Sequence, residues 1–364
     1  MGRPEFHLWP RLLATACVFA GLEGAVFHSG LYAKIIEPVS TAGGLELRLD
    51  AEIDRPKPDR NQVLAVGHSR QALWPKLANE MQPSTGYTFA SIGLGGTDPR
   101  TWYYSLRAVD PHAHNYAAIL IPEDDYNEPD TGGDPAEQDV DLHYLIARLR
   151  MRDLLEFPWT FRSAARRWEA FEGILLKGAI YKTDFQDFVE HPWARIQKAE
   201  FYAQGSASWA YDYGGDARTL AGLEIDWAHK ALHFPPGVAE ADQQRTKQEL
   251  FPDLPPQQGH ETAYLRYWYG KMLEYYRGTG TKLIFLRVPR APSPPPEEPI
   301  QLHTAVRDLA GQPGVIVLDE HLLDSIERPE NFWDGWHLNR QGMKLFTEIV
   351  VREVVKALGP PSGE

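Results

Sequence analysis

The chain has 364 residues, 43% hydrophobic and 24% charged, which is enough to bury a core and excludes a mainly disordered polymer. Its 50 acidic side chains against 37 Lys and Arg leave a formal charge of −13, which argues against sequence-independent binding to nucleic acid. One cysteine, Cys17, excludes an intramolecular disulfide, a cysteine-built zinc site and a cysteine-ligated iron–sulfur cluster. The 11 Trp, 16 Tyr and 15 Phe read first as core filling and second as sugar-stacking surface.

Residues 1–30 carry Arg3 and Arg11 ahead of a mostly apolar stretch, Leu12 to Phe27, interrupted by Glu23. A short apolar run behind basic residues has the form of a secretory signal or signal-anchor. Ala14-Thr15-Ala16 falls too early for a cleavage site, and Cys17 lacks a leucine three residues ahead. The reading is therefore an uncleaved membrane anchor with the body outside the cytoplasm; the alternative is a buried first helix of a soluble protein. Residues 31–60 are expected to be a linker.

Residues 61–127 alternate strand and helix. Gln62 to Val66 is a short apolar strand, followed by a helix over Gln71 to Met81. Tyr87 to Ile92 is the second strand, closed by Gly93-Leu94-Gly95-Gly96. Asp98 and Pro99 open a helix through Val109, an N-cap followed by proline at the first position. Tyr116 to Ile121 is the third strand. Residues 128–258 are poor in strand signals and rich in Trp, Tyr and Arg. They predict a mostly helical insertion, with helices over Leu142 to Leu155 and Phe161 to Tyr181 and loops over Gly205 to Gly215 and Pro235 to Gln258.

Within that insertion Trp159, Trp168, Trp193, Trp209 and Trp227 could roof a site and offer stacking faces to a glycan. Arg148, Arg150, Arg152, Arg162, Arg166 and Arg167 face only Asp153 and Glu156 there. This run reads first as a solvated helix face and second as a patch for an anionic ligand or a membrane surface. Residues 259–364 return to strands, Lys282 to Val288 and Val315 to Asp319, around a stiff Pro289 to Pro299 loop and a helical Ile300 to Leu309. The last helix runs from about Arg340 to Leu358. Five strands in this alternation predict an α/β fold with a flavodoxin-like, doubly wound parallel sheet, its active site at the carboxyl ends of the strands.

Three segments carry chemistry. Gly67-His68-Ser69-Arg70 leaves the first strand and places a serine at the sheet's carboxyl edge, where a helix N-terminus would attract an anion. It is not the G-x-S-x-G elbow, because Gln71 stands where the second glycine belongs. Gly93 to Thr97 ends the second strand, and glycine there allows close backbone approach to a substrate oxygen. Asp334-Gly335-Trp336-His337-Leu338-Asn339 precedes the last helix. His337 can be a base to serine if Asp334, three residues earlier on one tight loop, holds its other nitrogen in the right tautomer.

Together these segments resemble the SGNH/GDSL hydrolase superfamily across the sheet core, though not across the insertion. Gly67-His68-Ser69 is similar to its first block, in which Asp usually takes the His68 place. Gly96 matches the glycine of the second block, and Asp334 and His337 match the last block. The resemblance implies Ser69 as nucleophile, His337 as general base and Asp334 as its orienter, with the N–H groups of Ser69 and Gly96 as oxyanion donors. The third block departs: where Gly-x-Asn-Asp is expected the chain reads Pro122-Glu123-Asp124-Asp125-Tyr126-Asn127. An ionised Asp124 cannot donate. Either Asn127 swings in as a donor, or the hole has only backbone donors, or the site is not a standard hydrolase.

The anchor, the altered first block and the long insertion are similar to membrane-anchored SGNH-like proteins that work with membrane-bound O-acyltransferases in acylating surface polysaccharides. The resemblance implies a serine O-acyltransferase or esterase with an acyl-ester donor, acetyl for preference, and a carbohydrate acceptor, and it implies no cofactor. The competing reading is a non-catalytic scaffold subunit of a polysaccharide-modifying complex. A metal enzyme is a third option, resting on His112-Ala113-His114, which without a nearby third ligand reads as a surface loop.

Overall fold

The computed structural model describes residues 8–57, 59–123, 135–137, 140–206, 219–251, 261–293 and 302–361. The chain divides into two compact units, one built from residues 1–50 and 136–206, the other from 51–135 and 207–364.

The second unit holds the sheet. In chain order its strands are β1 (Gln62–Ala65), β2 (Thr88–Ser91), β3 (Ala118–Glu123), β4 (Glu224–Asp226), β5 (Ala231–His233), β6 (Lys282–Arg287) and β7 (Val315–Val317). Five of them form one sheet in the order β2-β1-β3-β6-β7, every pair parallel. That is the flavodoxin-like order of a doubly wound sheet. β4 and β5 make a separate antiparallel hairpin that the sequence reading had no strand for.

Both faces of the sheet are buried, as its near-continuous apolar strands require. Val63, Ala65, Leu120 and Ile284 face the Arg340–Leu358 helix through Phe346, Val350 and Val354. The alternate residues Leu64, Ile119, Ile121, Leu283 and Phe285 are equally buried on the other face, where Tyr269 of the Glu261–Tyr275 helix meets Phe285 edge to face at 5.1 Å. The Pro99–Val109 helix begins as the sequence predicts. Asp98 accepts from the Thr101 N–H at 3.1 Å and Pro99 takes the first turn.

Several expectations fail for local reasons. The helix expected from Gln71 starts only at Pro75 and ends at Glu80. Proline has no N–H to donate and pushes Trp74 into an extended conformation, so a helix can begin at Pro75 but not run through it. The loop expected over Pro235 to Gln258 contains a helix, Glu240–Leu250, with Glu240 and Asp242 in its first turn and Lys247 in its last. Strong helix formers and dipole-matched charges build it; only Thr246 and Leu250 are buried, so it has no apolar period to read. Of helical Ile300 to Leu309, the described residues from 302 onward form a helix only over Thr304–Arg307. Trp227 is no roof residue: it packs on the core of the sheet unit, edge to face with Phe251 at 5.3 Å. Trp209 lies outside the described residues.

The first unit combines the amino-terminal segment with most of the expected insertion. Helix Leu8–Glu23 continues through a wider turn, Gly24–His28. The 20 residues Trp9–His28 are the one helix among the described residues long and apolar enough to cross a membrane, and only 6% of their most apolar window is buried. That length spans about 30 Å. The alternative of a buried first helix therefore fails. Glu23 does not sit idle in the apolar run: its Oε1 accepts from the Gly178 N–H at 3.0 Å.

The expected linker is folded too. Tyr32–Ile35 forms a short 3-10 turn and Thr41–Asp54 an α-helix, with Tyr32, Ile36, Leu45 and Leu49 buried. Arg148 holds this helix through Glu46 at 2.7 Å and Asp50 at 2.6 Å. The expected Leu142 to Leu155 and Phe161 to Tyr181 helices are each broken, into Val140–Leu145 with Met151–Leu155 and Ala164–Leu175 with Lys177–Ile180. The Pro192–Ser206 helix carries Arg195, which is buried and bonds Asp184 at 2.8 Å and the Ile35 carbonyl at 3.1 Å.

Candidate active site

The site assembles where β1, β2 and β3 end. Parallel pairing runs past the strands: Val66 N–H donates to Leu120 O at 3.0 Å, and Leu94 N–H to Gly67 O at 2.9 Å. Gly67 turns the chain at φ +143°, a conformation that favours glycine. A Cβ there would fall 2.5 Å from Pro122 Cγ and 2.8 Å from Gln71 Cβ, so the turn can form only around glycine. Ser69 follows in a tight turn closed by Gln71 N–H donating to His68 O at 3.0 Å. It does not stand at a helix N-terminus, because Pro75 delays the helix.

The turn is braced from several sides. The buried Arg70 guanidinium donates to the carbonyls of Pro289 and Arg290 in the segment after β6. Gln71 reaches back to Val66 O at 3.2 Å and accepts from Leu73 N–H at 3.0 Å. Thr97 Oγ1 lies 3.0 Å from Gly67 O and accepts from the Trp102 indole N–H at 3.0 Å. This ties the glycine loop after β2 to the serine turn. His68 accepts from Arg70 N–H through Nδ1 at 3.1 Å and lies 6.0 Å from the Trp102 ring.

The histidine arrives from the other end of the sheet on a pinned loop. Trp333 N–H donates to His337 O at 2.8 Å and Asn339 N–H to Asn331 O at 2.9 Å. Asn339 then caps the last helix by accepting from Gly342 N–H at 2.9 Å. His337 Nε2 lies 2.9 Å from Ser69 Oγ. Its Nδ1 lies 2.8 Å from Asp334 Oδ2 and 3.0 Å from Oδ1. Asp334 also accepts the backbone N–H groups of Trp336 at 2.9 Å and His337 at 2.7 Å. Burial alone would raise its carboxyl; the His337 bond and charge and the two backbone N–H groups outweigh that and hold it below the usual range. An ionised, 2% exposed Asp334 keeps the proton on Nδ1, so that Nε2 can accept from the Ser69 hydroxyl.

Glu249 is a member of the site that no local sequence signal announces. Its Oε2 accepts from Gly335 N–H at 2.8 Å, and its backbone carbonyl accepts from the Trp336 indole at 2.8 Å. A Cβ on Gly335 would lie 2.8 Å from Glu249 Cβ, so the Asp334–His337 loop rests directly on the Glu240–Leu250 helix. Burial, and then the neighbouring Asp334 charge, push the Glu249 carboxyl up to about 7.

Of the expected oxyanion donors, Ser69 is half-buried in its turn, and Gly96 is exposed at φ +72° on the loop that Thr97 fastens to Gly67. Asn127, with Asp124 and Asp125, lies outside the described residues. Glu123 ends β3 buried and accepts from the Tyr269 hydroxyl, so it faces a partner rather than open solvent. His112 and His114 lie with ring centroids 5.7 Å apart. No cluster of three or more His, Cys, Asp or Glu side chains suited to a metal occurs among the described residues. Compared with protein-family models and with curated proteins, the chain matches none.

Proposed function

We propose that the chain is an SGNH-type serine enzyme that moves acyl groups, acetyl for preference, to or from hydroxyls of a surface polysaccharide. The observation that carries this reading is the series Ser69 Oγ, His337 Nε2, His337 Nδ1 and Asp334 Oδ2, with steps of 2.9 and 2.8 Å. In the first half-reaction Ser69 Oγ attacks the acyl carbonyl while its proton passes to His337. His337 then protonates the departing alcohol, leaving an acyl-enzyme. In the second half a water or sugar hydroxyl gives its proton to His337, attacks the ester and restores Ser69. The N–H groups of Ser69 and Gly96 are assigned to the oxyanion.

Transfer and hydrolysis differ only in what resolves the acyl-enzyme. The amino-terminal helix favours transfer, because it would hold the enzyme beside a membrane-bound acyl donor. The expected result with an activated acetyl ester and an oligosaccharide acceptor is acetyl-sugar formed at the expense of free acetate. Free acetate at one rate regardless of acceptor would leave an esterase instead.

The same proposal sets the body outside the cytoplasm, with Trp9–His28 as anchor. A reporter enzyme that works only in the cytoplasm, fused after Glu364, is then expected to be inactive. Strong reporter activity would reverse the topology.

A further inference from the structure

The basic run of the first unit is not a uniformly solvated face. Arg148, Arg150 and Arg152 join Lys34 and Lys177 in the wall of a cleft of about 780 Å³, with Asp50 the one acidic residue lining it. The cleft is completed by His28, the last residue of the Trp9–His28 helix, and by residues 29–31 just beyond it. Arg148 is committed to Glu46 at 2.7 Å and Asp50 at 2.6 Å. Lys34, Arg150 and Arg152 are exposed and form no ion pair among the described residues.

Lys177 adds a buried donor. It is 4% exposed, and its Nζ donates to Ala147 O at 2.9 Å. An ammonium has three N–H groups, and among the described residues the other two have no acceptor. Burial pushes Lys177 down to about 8, while Glu46, Glu23 and Asp153 counter that, so it is still mostly charged at neutral pH. A buried, incompletely bonded cation is costly unless an anion completes it.

The cleft's rim is apolar. Leu31 is 67% and Met151 53% exposed, and on the same turn as Met151 Leu155 is 84% exposed. Nearby Trp159 is exposed with the Arg167 guanidinium 5.4 Å from its ring centroid. Exposed Leu and Trp beside Arg, at the foot of a membrane-length helix, is the composition of a surface at headgroup depth. Guanidinium groups and an ammonium recognise a tetrahedral phosphate through several donors at once.

We infer that this cleft binds the anionic phosphate headgroup of a membrane lipid where the anchor helix leaves the bilayer. The inference rests on the membrane reading of Trp9–His28 and not on the chemistry of Ser69. Bilayer phosphates lie where the helix emerges, which favours a lipid over a soluble anion.

The test uses the full chain in neutral detergent micelles. Bound lipid is counted by native mass spectrometry during titration with phosphatidylglycerol, phosphatidylcholine or inorganic phosphate. One phosphatidylglycerol is expected to bind at least tenfold more tightly than either alternative. Arg150→Glu with Arg152→Glu, both on exposed positions, is expected to remove that preference. Equal binding of the two lipids, or an unchanged preference in the double variant, would overturn the site. Inorganic phosphate binding as tightly as the lipid would overturn the lipid assignment. Flotation of the chain with pure phosphatidylcholine vesicles reports the anchor separately, so failure of the anchor and failure of the cleft give different results.

Discussion

Ser69→Ala is expected to lower kcat on a small acetyl ester by about 10⁴-fold or more, with the fold intact. The variant keeps every backbone contact of the turn, since Gly67, Gln71 and Thr97 brace it without using the Ser69 side chain. What disappears is the Oγ that lies 2.9 Å from His337 Nε2 and would form the acyl ester. A residual rate over water should persist, because backbone donors and substrate binding do not depend on the hydroxyl. Steady-state kinetics measure the loss, and circular dichroism checks the fold. A fluorophosphonate probe should label the wild-type chain at Ser69 and fail to label the variant. A variant that turned over at the wild-type rate would remove serine catalysis from the proposal and leave the scaffold reading.

Asp334→Asn is expected to cost nearly as much, about 10⁴-fold in kcat, by a different route. The amide oxygen of Asn can still accept from Trp336 and His337 N–H, so the loop should persist. Its NH₂ group, however, would donate to His337 Nδ1 and force the ring proton onto Nε2, where it faces Ser69 instead of accepting from it. The substitution also removes the charge that helps hold the Glu249 carboxyl at about 7, so Glu249 should titrate lower.

Stability supplies the sign of a second readout. Asp334 is held below its ordinary value in the folded chain, so its ionised form stabilises the fold above the unfolded-state pKa. That contribution fades as pH falls through the folded value. The difference in melting temperature between wild type and Asp334→Asn should therefore be largest near neutrality and shrink in acid. A difference that grew toward low pH would contradict the ionised aspartate.

The sheet was legible because its strands are short apolar runs, three of them closed by Gly67, Gly93 or Pro289, and all five lie within two residues of their expected bounds. The juxtaposition of Ser69, His337 and Asp334 was legible because Asp334 and His337 are three residues apart on one loop and Ser69 follows a strand end directly. What could not be read was non-local or aperiodic. Glu249 lies 86 residues before Gly335, and only the packed Glu240–Leu250 helix brings them together. That helix has no apolar stripe, and the Thr41–Asp54 helix hides its Leu45 and Leu49 pair behind a glycine doublet. Pro75 sits inside the expected Gln71 to Met81 helix and starts it late, since proline can open a helix but not continue one. The division of the insertion at residue 206 follows tertiary contacts that no stretch of its sequence advertises.

The Glu23 carboxylate bears on proteolytic processing. A leader peptide is discarded because the mature protein has no use for it. Here the last turns of the helix are already masonry: Glu23 accepts from Gly178 N–H, and Phe27 packs edge to face with Tyr32 at 4.9 Å and Phe185 at 5.3 Å. Gly178 sits so close that a Cβ would come within 2.7 Å of the Phe27 ring. Cleavage between Glu23 and Tyr32 would open an aromatic cluster to water and leave a backbone donor without its acceptor. The residues that end the apolar helix are the first residues of a folded body, so trimming them would damage that body rather than release it.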